Sequence, residues 1–285
     1  YGGYILEVQP DAEYATVRGT ATKAETHFFG FGEKVYLLNG HEYMSWDGKD
    51  NTQFANVVGY VPLVQIATTP DGHGTLLENV NRLSSKRRVT FSPDGTAKVF
   101  QLPEKNLKAI TSATLAGTTL TFTSNLTNGT VEFATAPAKG TDTIEVLYDS
   151  GKDAYSEVST MRYSELFNGG TDARVFLYGD GSNRAIYSGI EHNSTQPSAE
   201  YFPDLYEALI GEANTPVTSL VRHYSRLLAF KTDSAYSIQY GSITLDSGLT
   251  TAAFYVLPVN RLLGNEAMGQ AKLLENSPLT LDGKS

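Results

Sequence analysis

Histidines and carboxylates are the side chains of this chain that could carry metal or acid–base chemistry. The five histidines lie at positions 27, 41, 73, 192 and 223. No two of them have the spacing of an HxxxH or HExxH motif, so a zinc site would need three ligands that are distant in the chain. The sequence therefore predicts no bound metal.

Paired carboxylates would be needed for glycoside hydrolysis, because one acts as an acid with a raised pKa while the other stays ionised. The chain has 31 Asp and Glu residues, and most stand beside Gly or Lys, as in solvated turns. Glu191, His192 and Asp233 differ, since they follow aromatic runs whose loops could converge on one face. They leave carbohydrate degradation open, but they do not identify a catalytic pair.

Several short motifs resemble functional loops without having the full pattern. The segments DGKDN at 47–51 and GDGSN at 179–183 lack the alternating oxygen ligands and the distal Glu of an EF-hand. The segment SPDGT at 92–96 resembles the Asp-box of sialidase propellers but lacks its aromatic residue. A Gly-x-Ser-x-Gly elbow and a phosphate-binding loop do not occur. We therefore predict that the protein is not an enzyme, with no catalytic residue and no cofactor.

Charge and composition narrow the classes of partner. The formal net charge of −9 argues against nucleic acid as a partner, because phosphate binding draws on clustered Lys and Arg. One basic run, 86–88, is interpreted as a solvated strand edge. No apolar stretch reaches the length of about 18 residues that a membrane span needs, so we expect no membrane insertion. Cysteine is absent, which removes disulfides and thiolate sites.

Alternation of large apolar residues with Thr, Glu and Lys predicts strands in the segment 86–149. Val131 and Phe133 lie on one face of one predicted strand, and Ile144 and Val146 lie on one face of another. Asp-Gly and Asn-Gly pairs separate the strands, as tight turns require. We predict that this segment is a small β-sandwich module inserted in a loop of a larger β-domain.

Three segments outside the module resemble one another, at 27–48, 164–189 and 217–241, and a weaker copy begins near Gly269. Each has a lead-in, an apolar strand, a tight turn and a second strand, which is typical of propeller blades. Without the module about 220 residues remain, enough for about five blades of ~40–45 residues. An irregular sandwich of hairpins is the alternative.

The fold prediction is thus an all-β chain with a discontinuous domain. Residues 1–85 and 150–285 form an irregular β-propeller of about five complete or partial blades, and 86–149 form the inserted module. Because the sequence stops in what reads as a hairpin, we expect the propeller to be truncated at the C-terminus. One short helix is predicted at 204–212.

The stretch 171–205 is similar to propeller-type structural proteins of tailed bacteriophages and prophages. The residues that carry the resemblance are Arg174, the Gly179-Asp180 turn, Asn183-Arg184, the segment IYSG at 186–189 and the segment SAEYFP at 198–203. The later segments from 217 onward resemble the same proteins, and the module resembles small β-modules of virion and fibre proteins.

This resemblance implies a structural subunit in the tail or head-to-tail region of a virion, present in the host cytoplasm before assembly. Its partners would be other virion subunits or further copies of itself. Arg174 and Arg184 are expected to pair with carboxylates between blades, and Tyr201 and Phe202 to wedge a loop against the propeller. The alternative function is a carbohydrate-binding or glycoside-degrading propeller whose partner is a polysaccharide of the host surface.

Overall fold

The computed structural model describes residues 2–9, 14–167, 173–244 and 250–281. Strands hold 47% of the residues and helix 2%, so the prediction of an all-β chain is confirmed. The elements, in chain order, are β1 (Tyr4–Val8), β2 (Ala15–Thr20), β3 (His27–Phe31), β4 (Lys34–Leu38), β5 (Tyr43–Trp46), β6 (Ala55–Asn56), β7 (Leu63–Thr68), β8 (Thr75–Leu76), β9 (Lys86–Phe91), β10 (Val99–Gln101), β11 (Ala109–Leu115), β12 (Thr118–Thr119), β13 (Phe122–Asn125), β14 (Thr130–Phe133), β15 (Ile144–Asp149), α1 (Tyr155–Ser159), β16 (Tyr163–Phe167), β17 (Arg174–Tyr178), β18 (Arg184–Tyr187), β19 (Glu207–Leu209), β20 (Val217–His223), β21 (Arg226–Lys231), β22 (Ala235–Thr244), β23 (Thr250–Asn260), β24 (Lys272–Leu274) and β25 (Ser277–Leu279).

Three four-stranded antiparallel sheets form the body of the protein: β3–β6, β16–β19 and β20–β23. In each sheet the strands are neighbours in chain order, which makes it a meander. The hairpins predicted from the repeats are the middle strands of these meanders, β4–β5, β17–β18 and β21–β22. The weaker fourth copy is the hairpin β24–β25, and a further hairpin, β1–β2, precedes the first meander. Part of the second repeat, 168–172, and the C-terminus at Ser285 lie outside the described residues.

The turn between β4 and β5 shows why the hairpins form where they do. Gly40 has a φ of +81°, a left-handed conformation that glycine adopts without steric cost. Asn39 precedes it and accepts backbone hydrogen bonds from His41 and Glu42, at 2.9 and 2.8 Å, through its side-chain oxygen. An Asn-Gly pair therefore closes this hairpin with its own local hydrogen bonds.

The β3–β6 sheet packs by both of its faces, because side chains alternate along β4. Tyr36 and Leu38 lie in a core shared with the β16–β19 sheet. Leu37 points the other way, into a core with Ile5 of β1 and Met44 of β5. β4 therefore contributes side chains to the packing of its sheet against both neighbouring sheets.

The β16–β19 sheet repeats this arrangement. Val175 and Leu177 of β17 belong to the core shared with β3–β6, whereas Phe176 belongs to a core shared with β20–β23. A further core joins Phe230 of β21 to Ala271, next to β24. The sheets are thus stacked face to face in the order β1–β2, β3–β6, β16–β19, β20–β23 and β24–β25.

The first strands of successive sheets are also neighbours. β3 contacts β16, β16 contacts β20, and β20 contacts β24. Just before β24, the backbone of Gly269 also donates a hydrogen bond of 2.8 Å to the carbonyl of Thr218 in β20. The first strands of these sheets therefore lie next to one another along one side of the stack. Among the described residues no closed barrel or propeller is found.

The segment 86–149 folds around a core of its own. β9, β11, β12 and β15 form a six-stranded sheet together with β7 and β8, and β10, β13 and β14 form a second sheet. Phe91, Phe100 and Phe133 lie in the core that the two sheets share, with ring centroids 5.4 Å apart in successive edge-to-face pairs. β7 pairs with β9 in parallel, so the sheet of the segment extends into chain that precedes residue 86.

The predicted helix at 204–212 is wrong. Residues Glu207–Leu209 form β19, which pairs with β18 through Arg184, Ala185 and Ile186. The helix of the described chain is α1, at Tyr155–Ser159. Because a free strand edge is available on β18, pairing with it outweighs the weak helical pattern of this segment. No helix among the described residues is long and apolar enough to cross a membrane.

Candidate functional site

Arg184 takes part in an ion-pair network with residues from several elements. Its guanidinium lies 3.1 Å from Glu157 of α1 and 3.1 Å from Asp180, and 3.8 Å from Glu207 of β19. Burial lowers the pKa of Arg184, but the hydrogen bond and charge of Asp180 together with Glu157 leave it raised overall. The structure thus brings Arg184 together with carboxylates of α1 and of its own β16–β19 sheet, and the expected pairing between blades stays a prediction.

Arg82 is the buried partner in this network and was missed from the sequence. Its side chain is 3% exposed and lies 3.1 Å from both Glu157 and Glu207. It also donates hydrogen bonds to the backbone carbonyls of Pro203 and, at 2.6 Å, Asp204. The segment NRLSS around it reads as a polar loop, so only the folded arrangement shows that this arginine is internal.

Asn81 adds a second set of buried hydrogen bonds beside Arg82. Its side-chain nitrogen donates to the carbonyls of Tyr60 and Glu200, at 2.9 and 2.8 Å. Its side-chain oxygen accepts from the backbone of Phe202 at 3.0 Å and of Leu83 at 3.2 Å. Buried amides of this kind stabilise a fold only when their partners are all present. We call Asn81 and Arg82, with the groups they bind, the linker junction, because they fasten the chain before β9 to the β16–β19 sheet.

Tyr201 and Phe202 lie at the linker junction. Phe202 is fully buried and packs edge-to-face on Tyr43, with ring centroids 6.0 Å apart. Tyr201 donates a hydrogen bond of 2.9 Å to the carbonyl of Asn79 and packs against Tyr60. Both residues hold the 189–203 loop of the β16–β19 sheet against the linker, and neither is exposed as an interface residue.

Arg174 is also internal. It is 4% exposed, donates a hydrogen bond of 2.6 Å to the carbonyl of Ser188, and lies with its guanidinium 5.7 Å from the ring centroid of Tyr206. Stacking on an aromatic face and hydrogen bonding to a carbonyl both suit the planar guanidinium. These contacts connect β17 to β18 and to the chain just before β19.

A cleft of about 410 Å³ opens between the outer edge of the β3–β6 sheet and the 189–203 loop. We call it the Tyr60 cleft, and it is lined by Lys34, Ser45, Ala55, Asn56, Val58, Gly59, Tyr60, Glu191 and Glu200. The ammonium group of Lys34 donates a hydrogen bond to Glu200. Two carboxylates, an amide, a hydroxyl and an ammonium therefore surround one open space.

Tyr60 is held in place on one side of the cleft. Its hydroxyl donates to Glu78 at 3.0 Å, and Arg88 lies with its guanidinium 5.8 Å from the ring centroid. Burial, followed by the charge of Glu78, raises the pKa of Tyr60 to about 12. The other carboxylate oxygen of Glu78 accepts a 2.8 Å hydrogen bond from the backbone of His192. The ring is thus fixed and neutral at ordinary pH.

The carboxylates singled out in the sequence have different surroundings. Glu191 lines the Tyr60 cleft, whereas Asp233 lies in a turn where it accepts hydrogen bonds from Ser234 and Thr215, at 2.8 and 3.2 Å. These bonds, that of Ser234 first, lower the pKa of Asp233. The structure therefore does not bring Asp233 and Glu191 to one site. Glu200 is the carboxylate that shares the cleft with Glu191, and its position was not predicted.

Charged groups also gather along the first strands of the sheets. His27 of β3 is 3.0 Å from the hydroxyl of Ser164 on β16. Burial, and then the charge of Lys272 on β24, lower the pKa of His27. Burial raises the pKa of Glu165, which Lys272 and Arg222 partly offset. Lys272 of β24 thus lowers the pKa values of side chains on two other sheets.

The described residues include no group of three or more His, Asp or Glu side chains placed to hold a metal ion. No protein-family model matches the chain, and neither a curated protein nor a solved structure shows significant similarity to it.

Proposed function

We propose that the stacked sheets are blades of a β-propeller, and that 86–149 form a β-sandwich module inserted between its first two complete blades. Three observations support this proposal. The β3–β6, β16–β19 and β20–β23 sheets are four-stranded antiparallel meanders, their faces pack on one another in sequence, and their first strands share one edge of the stack. All three are features of propeller architecture.

We propose further that the protein is a structural subunit of a phage or prophage particle, in the tail or head-to-tail region, where its partners are other virion subunits. The observation that carries a scaffold role is the linker junction. A linker with few contacts would let the module turn freely against the blades. Here the linker is held by buried hydrogen bonds and ion pairs of Asn81 and Arg82.

The linker junction stabilises the fold only if every buried polar group in it is paired. A buried neutral group that loses its hydrogen-bond partners destabilises the fold by about 1–3 kcal/mol. A buried guanidinium, which is charged, destabilises it by more. Such a set of interactions therefore favours one orientation of the module over all others. A fixed angle between two bodies suits a subunit that must present one surface to the next subunit of an assembly.

Mass spectrometry of purified particles tests the phage assignment. Particles released from an induced lysogen that encodes this chain should contain it at a stoichiometry comparable to known structural proteins. Particles purified from a lysogen with the gene deleted serve as the control and should show a defect in tail assembly. If the polypeptide is absent from intact particles, the assignment is wrong.

The Tyr60 cleft supports a second candidate function, recognition of a host-surface polysaccharide. A fixed aromatic ring with carboxylate, amide and hydroxyl groups around it offers the stacking and hydrogen bonding that sugars use. A glycan panel probed with the purified chain should then give saturable binding that the Asn56→Ala and Glu191→Gln variants reduce, with Glu132→Gln on the module as a control. Equal binding by all variants would exclude the cleft as the site.

A further inference from the structure

The two hairpins at the ends of the stack cover their neighbouring sheets unevenly. The β24–β25 hairpin packs on the β20–β23 sheet through Val221, Phe230 and Ala271, near the first two strands. The outermost strand of that sheet, β23, exposes Tyr255, Leu257 and Val259, which are 47%, 47% and 57% accessible. Since these three residues alternate along β23, they share one face. The part of this sheet face at β20 and β21, which we call the inner part, is therefore covered. The part at β23, the outer part, is bare.

The β1–β2 hairpin covers the opposite part of the β3–β6 sheet. Ile5 of β1 packs with Met44 of β5 and with Phe54, just before β6. The first strand, β3, is left with Phe28 47% exposed. Between Phe28 and the hairpin lies an open space of about 450 Å³, lined also by Ala21 and Leu37. Here the outer part of the sheet face is covered and the inner part is bare.

Each hairpin also carries apolar residues on its own free face. On β1, Leu6 and Val8 are 42% and 67% exposed and alternate with the buried Ile5. On β24 and β25, Leu274 and Leu279 are 61% and 51% exposed. A two-stranded hairpin is only marginally stable by itself, and its free edge leaves backbone groups unpaired. Both hairpins therefore have a face and an edge without a partner sheet among the described residues.

We propose that β1–β2 and β24–β25 join edge to edge into one four-stranded sheet, the inner half from the C-terminal hairpin and the outer half from the N-terminal one. This sheet would equal the three meanders in strand number. It would place Leu6 and Val8 over the bare outer part of β20–β23, and β24–β25 over the bare inner part of β3–β6. The stack of sheets then closes into a ring of four.

The charges along the first strands agree with this closure. Lys272 of β24 acts electrostatically on His27 of β3 as well as on Glu165 of β16. The charge of Lys272 thus acts on the first strands of two other sheets, which agrees with an arrangement of the sheets around those strands. The proposal rests on the propeller arrangement proposed above and is independent of the phage assignment.

Engineered cysteine pairs test the closure directly, because the natural chain has no cysteine. Leu6→Cys or Val8→Cys is combined in turn with Tyr255→Cys, Leu257→Cys or Val259→Cys, so that several registers are sampled. After treatment with a short bismaleimide, at least one pair should give a cross-linked monomer, identified by peptide mass spectrometry. Thr123→Cys with Glu132→Cys, which face each other across β13 and β14, is the positive control. Leu6→Cys with Val99→Cys on the module is the negative control.

The products separate the possible outcomes. A cross-linked monomer supports closure within one chain. Cross-linked dimers whose yield rises with protein concentration would show that the two hairpins meet between copies, and would overturn it. Reaction of the positive control alone would overturn it as well. Because the assay uses the purified chain, a failure here leaves the particle proteomics unaffected, and the two proposals fail separately.

A charge substitution gives an independent measurement. Leu257 on β23 and Val99 on the module have almost equal exposure, 47% and 46%. If closure covers Leu257, Leu257→Lys should lower the urea midpoint clearly, whereas Val99→Lys should leave it nearly unchanged. Equal effects of the two substitutions would count against closure.

Discussion

Arg82 and Arg184 bind the same carboxylate oxygen, Oε2 of Glu157, each at 3.1 Å. Arg82 belongs to the linker before the module, and Arg184 belongs to β18 of the second complete meander. Both also approach Glu207, at 3.1 and 3.8 Å. Two cations that share two carboxylates connect the linker, α1 and the β16–β19 sheet in one network, and its members should not contribute independently to stability.

Replacing Arg82 should be costly. In Arg82→Met the carbonyls of Pro203 and Asp204 lose their donors, and we expect the free energy of unfolding to fall by about 3 kcal/mol. Arg184→Met should cost about 1 kcal/mol, because Arg184 is more exposed and its carboxylate partners can be hydrated. Urea unfolding of both variants and of the double variant measures this. Strict additivity of the two losses would contradict a shared network.

Replacing Asn81 by aspartate tests the second part of the linker junction. Asn81→Asp removes both amide donors and places a charge at a position that is 2% exposed, so we expect a loss of about 3 kcal/mol at neutral pH. The loss should shrink as the pH falls, since protonation of the new carboxyl removes the charge and restores one donor. Asn128→Asp, in an exposed turn, is the matched control. A loss that does not vary with pH would argue against this account.

Glu165 should destabilise the protein in its ionised form. Burial raises its pKa in the folded state, so folding favours the protonated carboxyl, and stability falls as the pH rises through the folded pKa. Glu165→Gln should therefore raise the urea midpoint modestly at neutral pH. The advantage should disappear in acid, where Glu165 is protonated. The exposed Glu132→Gln should show no such trend, and a destabilised Glu165→Gln would contradict the prediction.

Alkaline pH should unfold the protein in part through Tyr187. Burial raises its pKa to about 12, while in the unfolded chain a tyrosine loses its proton near pH 10. Stability is then retained below about pH 10 and is lost by up to about 2–3 kcal/mol as the pH rises toward 12. Tyr187→Phe should flatten this part of the pH profile, measured by urea unfolding. An unchanged slope would assign the loss to the other buried tyrosines.

The sequence repeats predicted the middle strands of each meander, because β4, β17 and β21 are short, nearly continuous apolar runs that end at tight turns. They did not predict the outer strands. β6 has two residues, and β19 reads EAL within a stretch with helical character, so neither shows a periodic pattern long enough to recognise. Pairing with an existing sheet edge determines such short strands, and this is a tertiary effect.

The candidate sites were predictable only in part. The resemblance led to Arg184, which forms ion pairs with α1 and with its own sheet, and to Phe202, which is buried in a core, whereas the expected contacts between blades stay predictions. Asn81 and Arg82 were missed because nothing in a polar segment distinguishes an amide that is solvated from one that is buried with four partners. The Tyr60 cleft was missed for a similar reason, since its walls come from parts of the chain far apart in sequence.

The segment 86–149 starts and ends on adjacent strands. β9 and β15 are antiparallel neighbours, with Lys86 directly opposite Asp149. The host chain therefore bridges only the width of one strand pair, whatever the length of the segment between them. In evolutionary terms the chain between β9 and β15 can be lengthened or exchanged without changing the distance that the host chain must bridge, provided that β9 remains to pair with β7.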